Sequence, residues 1–222
     1  MNAMGTHHLL SAIRRANLVC PVVVVGSALV YRQSNDPITE DSPIGPATPY
    51  GRSKLAQELI AARENVCPVF LPRPFNHAGP RQSAGYVTSA FAQQIAEIEA
   101  GLREPVLRVG NLEARRDITD VRDTVRAYAM LFESGRPRRP YNICTGTPRR
   151  VGELLQLLLG LCRTSIRTSV EEARLRPVDN PIVVGDPSRI AAEVGWQARI
   201  PIERTLEDLL DYWRLRVAAP HA

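Results

Sequence analysis

The chain has 222 residues, 44% hydrophobic and 23% charged, a balance that belongs to a globular protein of one or two domains with a sizeable core. No apolar run approaches the ~18–20 residues of a membrane-spanning helix, and MNAMGTHHLL lacks the basic-then-apolar order of a signal peptide, so a cytoplasmic protein without a membrane partner is expected. The net charge of +5 invites nucleic acid, but the arginines are scattered and aromatics are only 5%; no nucleic acid is expected, and an anionic small substrate fits better.

The first 15 residues carry Leu9, Leu10 and Ile13 at helical spacing, with Thr6 as a candidate cap. Pro21 then opens VVVVGSALVY, whose β-branched run from Val22 to Val25 predicts a strand buried on both faces, hence parallel and central. It ends at Gly26-Ser27, and doubly wound sheets bind ligands beyond the carboxyl ends of their strands. Ser27 standing alone reads better as a turn serine after a glycine. Residues 31–49 are loop, rich in Pro, Ser and Asp. A helix over about 50–65 and a short strand over 68–71 follow, the strand running into LPRPFNHAGPRQ, where Asn76, His77, Gly79 and Arg81 crowd another carboxyl edge.

Further on, the pattern predicts a helix over 87–100, a strand at VLRVG, a charged turn NLEARRDITDVRD and a helix through Met130. A strand over 141–144, a helix over 152–162 and a tail with DPSRIAAEVGW and TLEDLLDYWRLR complete the chain. Cys20, Cys67, Cys144 and Cys162 are widely spaced, without a CxxC or a neighbouring His. Neither a metal site nor a disulfide framework is expected, and we read them as reduced and buried.

All but one of the 28 basic residues are arginine, and the single lysine, Lys54, follows Tyr50 by four positions in TPYGRSKLAQE. On a helix these positions share a face. A nearby cation favours phenolate and lowers a tyrosine pKa toward neutrality, which suits a proton donor to a developing alkoxide. A compact ammonium on a flexible stem reaches a phenol and a cofactor hydroxyl together, which arginine does less well. The competing reading is an arginine-biased chain that keeps one lysine on a solvated helix.

In order, GS-x-x-VY, PYGRSK, RPFNHAGP, GNLEARRDITDVRD, RPVDNP and GDPSR with GW resemble the extended short-chain dehydrogenase/reductase family of NAD-dependent epimerases and dehydratases. The resemblance covers nearly the whole chain. RPFNHAGPRQS and VGNLEARRDITDVRD are most similar to enzymes acting on GDP-mannose derivatives, the GDP-6-deoxy-4-keto-mannose reductases, with GDP-mannose 4,6-dehydratases as near neighbours. The family implies an α/β, Rossmann-like doubly wound parallel sheet with a smaller C-terminal substrate lobe. Residues 1–80 would be the C-terminal half of the dinucleotide-binding domain and 81–222 mainly the lobe, with about 117–145 returning to the sheet.

The resemblance also implies roles. Tyr50 would be general acid and base on the sugar C4 oxygen, Lys54 would lower its pKa and hold the nicotinamide ribose, and Ser27 would hydrogen-bond the same oxygen. Phe75 and His77 match positions beside the cofactor, NADP or NAD. Asn76, Arg116, Arg176 and Asp179 match positions around a nucleotide-sugar substrate, where an arginine fork suits diphosphate; the plainer reading of Arg116 and Arg176 is a surface ion pair. A homodimer is implied, the first helix and the Tyr50 helix packing as a four-helix bundle.

Departures narrow the reading. Dehydratases of this group carry Glu two residues after the Ser or Thr, and here that position is Leu29, after Ala28. Leucine takes no proton, so elimination across C5 and C6 lacks its base, whereas reduction of a 4-keto sugar needs none. The expectation is a reductase of GDP-4-keto-6-deoxy-mannose or a similar nucleotide 4-keto sugar, using NAD(P)H. A dehydratase, an epimerase, or a non-catalytic remnant that binds a nucleotide sugar are the alternatives. Arg32 stands where the family has Gly. No GxxGxxG or GxGxxG leads into a helix, and residues 1–12 resemble the family's fourth helix. The chain therefore reads as N-terminally truncated, without the Gly-rich half and its ribose selector, and with an apolar sheet edge exposed.

Overall fold

The computed structural model describes residues 1–171 and 180–218. Three parallel strands carry the front of the molecule: β1 (Val22–Val23), β2 (Val69–Pro74) and β6 (Pro140–Ile143), in the order β1-β2-β6. β2 is buried along its whole length and alternates its side chains between two cores. On one side Val69 and Leu71 pack with Leu10 of α1 (Asn2–Arg15) and Ala61 of α2 (Pro49–Ala62). On the other, Phe70 packs with Ala127 and Leu131 of α4 (Val121–Ser134) and with Ile190 and Val194 of α6 (Ser188–Val194).

The central strand is thus β2, and the expectation for Val22 to Val25 is corrected. β1 is parallel, but it is half-buried and lies at the edge. Its inner side donates Val22, Val24 and Gly26 N–H groups to the carbonyls of Pro68, Phe70 and Pro72. No strand among the described residues pairs its outer side. A β-branched run reports how well residues fit a pleated apolar surface, not how many neighbours that surface has.

A second sheet centres on β5 (Arg115–Asp120), which pairs in parallel with β3 (Asn76–Ala78) and β9 (Ile182–Val183) and antiparallel with β7 (Pro148–Arg150). β4 (Val106–Val109) and β8 (Arg167–Val170) form a separate parallel pair. Over these lie α3 (Val87–Glu99), α5 (Val151–Gly160) and α7 (Ile202–Ala218), whose Phe91, Ile95, Leu154, Leu158, Leu206 and Leu210 form the largest core.

The structure corrects four further expectations. Thr6 does not cap the first helix: α1 begins at Asn2, and Thr6 is buried inside it. α2 stops at Ala62, after which the Glu64 carboxylate accepts from the N–H groups of Asn65 and Val66 and bends the chain. RRDITD is strand β5 and not part of a charged turn, because its last four residues, Asp117–Asp120, are buried between neighbours. All cysteines are free, but only Cys67 and Cys144 are buried; Cys20 and Cys162 are half-buried. Among the described residues no helix is long and apolar enough to cross a membrane.

Candidate active site

The start of α2 is built locally. The Thr48 hydroxyl accepts from Gly51 N at 3.0 Å as N-cap, and Pro49 takes the first helical position, where its missing N–H costs nothing. A Cβ on Gly51 would lie 2.3 Å from the Leu29 carbonyl oxygen, so only glycine lets this turn of α2 rest on the 3-10 turn Ala28–Val30. Ser27 caps that 3-10 turn, its Oγ accepting from Leu29 N at 3.2 Å. On the other flank of Ser27, Lys54 Nζ donates to the Val25 carbonyl at 2.9 Å and to Gln57 Oε1 at 3.1 Å. Gln57 Nε2 reaches the same carbonyl at 3.4 Å. α2 is therefore pinned on both sides of Ser27, with Lys54 bonded to the carbonyl two residues before it and Gly51, next to Tyr50, against the turn after it.

Tyr50 is 50% exposed, and Lys54 Nζ stands 5.8 Å from the centroid of its ring. The expected lowering of the Tyr50 pKa is not what the geometry produces. Burial, with the Tyr86 phenol adding to it, holds Tyr50 above its ordinary value, and burial lowers Lys54. The physical reason is direction: the ammonium is turned toward Val25 and Gln57.

Behind this surface lies a buried polar chain. Arg73 Nε donates to Glu58 Oε2 at 2.9 Å while Nη2 pairs with the other Glu58 oxygen, a bidentate ion pair between β2 and α2. Arg73 Nη1 donates to the Tyr31 hydroxyl at 2.8 Å, and that hydroxyl donates to Asn142 Oδ1 at 2.7 Å. Asn142 N in turn donates to Glu40 Oε1 at 2.8 Å, and Arg189 closes the chain onto Glu40 at 3.4 Å. Burial, opposed by Arg73, pushes the Tyr31 phenol up to about 12, so it stays a hydroxyl donor. A second cradle forms at Asp117, fully buried, which accepts from Thr145 N and Oγ1, Gly146 N and Gly185 N. Burial raises the Asp117 carboxyl despite these donors.

The remaining sequence-derived positions are distributed as follows. Phe75 is 4% exposed; its ring lies where a Cβ on Gly185 would come within 2.7 Å of it, so it packs as core. His77 is exposed, with Nδ1 3.3 Å from the Phe75 carbonyl, and Asn76 beside it is exposed. Arg116 is half-buried on β5 and donates to the Arg115 and Pro181 carbonyls at 2.7 and 3.4 Å. Arg176 and Asp179 lie outside the described residues. Arg32 is exposed; its N–H donates to the Pro43 carbonyl and its side chain lies over Gly45. Gln57, Glu58, Gly51 and Arg73 were missed as site residues. Glu58 had a signal: it lies one turn beyond Lys54, and Arg73 is the charged residue flanked by prolines.

A tyrosine and a lysine one helical turn apart, beside a buried serine at the carboxyl end of a parallel strand, define the class: a Rossmann-like α/β protein with an oxidoreductase-type site. The GDP-mannose 4,6 dehydratase family model matches residues 1–209, and the chain belongs to that family. It is 32% identical to the GDP-6-deoxy-D-mannose reductase of Pseudomonas aeruginosa, across 98% of this chain and 73% of that one. It is 24% identical to the human GDP-mannose 4,6 dehydratase, across 95% of this chain and 63% of that one. The structure of RMD from Pseudomonas aeruginosa complexed with NADPH superposes with a TM-score of 0.92 at 31% identity, covering 97% of this chain and 74% of that one. UDP-glucose-4-epimerase from Stenotrophomonas maltophila with bound NAD superposes at 0.80 with 27% identity, over 97% and 69%.

Proposed function

We propose that this chain carries the catalytic and sugar-nucleotide side of an oxidoreductase that reduces GDP-4-keto-6-deoxy-mannose, or a similar nucleotide 4-keto sugar, with NADPH or NADH. The observation that carries the reading is the seating of α2 across the Ser27 turn, which presents a half-exposed phenol and ammonium together. Those two groups fit a nicotinamide ribose, with Phe75 and His77 at the matching family positions. When bound, the nicotinamide supplies the hydride. The residues of the chain do the rest: Ser27 donates a hydrogen bond to the C4 oxygen, and Tyr50 gives that oxygen its proton. A phenol held above its ordinary pKa is protonated at neutral pH, the state that reduction uses. Leu29, exposed beside Ser27 where the dehydratases have their glutamate, favours reduction over elimination. The same reading sets a second copy against the α1–α2 face, where Met4, Leu9 and Leu59 are exposed.

The test is a fluorescence titration of the purified chain with NADPH, followed by turnover of GDP-4-keto-6-deoxy-mannose. Tyr50→Phe should lower turnover by about 100-fold or more while leaving nucleotide-sugar binding intact. Absence of NADPH binding at millimolar cofactor would rule out catalysis by this chain.

A further inference from the structure

Strands β1 and β2 are entered through the same four residue types, Val19-Cys20-Pro21-Val22 and Val66-Cys67-Pro68-Val69. The strands run parallel, with Val22 beside Val69 and Val23 beside Phe70, and the Val22 N–H donates to the Pro68 carbonyl at 2.8 Å. Both cysteines precede a proline, which biases their backbone to the extended region. Carried back by two positions, the register sets Cys20 beside Cys67. Alternation puts both on the face that carries Val22, Val24, Val69 and Leu71, where Cys67 packs with Leu10 of α1 and Ala61 of α2. Burial, with Glu64 and Cys20 adding to it, raises the Cys67 thiol. The two thiols differ in access: Cys67 is 6% exposed, whereas Cys20 is half-buried and follows Val19, which is 80% exposed. Neighbouring strands lie ~4.8 Å apart, inside the about 4.4–6.8 Å between Cα atoms that a disulfide spans.

We propose that Cys20 and Cys67 form a reversible disulfide, a redox-responsive bond between the amino ends of β1 and β2 that the wide spacing of the cysteines in the sequence conceals. The partner in the exchange is a low-molecular-weight disulfide such as oxidised glutathione. The Cys20 thiolate attacks one of its sulfurs, forming a mixed disulfide and releasing one thiolate; the Cys67 thiolate then attacks the Cys20 sulfur and expels the second. The protein gives up two electrons and two protons, and the small disulfide leaves as two thiols. β1 is paired on one side only among the described residues and is the more exposed edge strand of its sheet, so the bond ties down the strand with least cover. The loop it closes runs from 20 to 67 and contains Ser27, Tyr50 and Lys54, while the bond itself lies at the opposite end of β1 from Ser27. Oxidation therefore tightens the frame of the candidate site without entering it. None of this depends on which ligand the site takes.

The experiment is incubation of the folded 222-residue chain with graded ratios of oxidised to reduced glutathione, followed by alkylation of the remaining thiols in denaturant, tryptic mapping and melting curves. Trypsin places the two cysteines on separate peptides, 16–32 and 64–81, so the bond appears as their cross-linked pair, and excess dithiothreitol should abolish it. Cys20 and Cys67 should lose their thiols together, with Cys144 and Cys162 still alkylated. The melting temperature of the oxidised parent should rise by about 5 °C or more over the reduced one. That rise should be absent in Cys20→Ser, which changes the half-buried partner and spares the core. Alkylation of all the cysteines at the most oxidising ratio overturns the bond, as does glutathione retained on Cys20 with Cys67 still free, or a Cys20–Cys20 link between chains. A cross-linked pair that forms only in urea belongs to the unfolded chain and overturns it too. A pair formed in the folded chain with no rise in melting temperature supports the bond and overturns its hold on β1.

Discussion

The Tyr50 helix α2 and the helical layer α3, α5 and α7 are held by opposite means. In the layer, Leu154, Leu158, Leu206, Leu209 and Leu210 are all fully buried against one another. α2 buries Gly51, Gln57, Glu58 and Ala61 instead, and turns Leu59 and Tyr50 outward at 55% and 50% exposure. Apolar packing is non-directional and sets how much stability a layer contributes. The Glu58–Arg73 fork, the Lys54–Val25 bond and the Gly51 close approach are directional, so they set where α2 points. The helical layer supplies stability and the polar anchors supply the geometry of the candidate site.

The largest effect expected from breaking that division is at the fork. Glu58→Ala leaves the Arg73 guanidinium buried and unpaired, and should cost about 3–5 kcal/mol in denaturant unfolding, as much as a large cavity in the leucine layer. A cost below about 1 kcal/mol would show that α2 is held by its apolar contacts after all.

A smaller effect is expected at the polar rim of the layer, where Arg214 donates to both Glu99 oxygens at 2.7 and 2.9 Å. That hydrogen-bonded guanidinium, against opposing burial, holds the Glu99 carboxyl below its ordinary value of 4.5. A carboxyl depressed in the folded state contributes its stability in full above the ordinary value and loses it as pH falls through the folded one. Glu99→Gln should therefore cost about 1–2 kcal/mol at neutral pH. The gap to the parent should close as the pH drops below 4.5, read from unfolding curves across an acid series. A gap that widens in acid would contradict the pairing.

The smallest effect belongs to the outer face of α2. Leu59→Ser should change the stability of the single chain by no more than about 0.5 kcal/mol. If a second copy covers this face, sedimentation should show the variant dissociating at concentrations where the parent remains dimeric. A parent that sediments as a monomer throughout would remove the homodimer from the proposed function.

Legibility in the sequence followed distance along the chain. Tyr50 and Lys54 were readable because their adjacency needs only one helical turn, and Thr48-Pro49 marks where that helix starts. The helix at Val87–Glu99 was readable from apolar periodicity, whereas the helix at Ile202–Ala218 was noted only as a leucine-rich tail. β5 was not, because RRDITD looks like a charged turn until strands on both sides bury its aspartates. Nor was the edge position of β1, since four valines announce a wish for cover without naming what provides it.

By itself, then, the sequence determined which groups the proposed site draws on: one lysine, one tyrosine a turn away, a serine at a strand end, and a leucine at the position where dehydratases of the family carry glutamate. Tertiary structure decided how those groups are aimed and how they titrate. The Lys54 ammonium turns to Val25 and leaves the Tyr50 phenol high. Arg73, Tyr31, Asn142 and Glu40 meet only because β2 and β6 lie side by side. Local spacing encodes which groups share a helix face; charges and hydrogen bonds act through space, and the partners that tune them come from residues far apart in the chain.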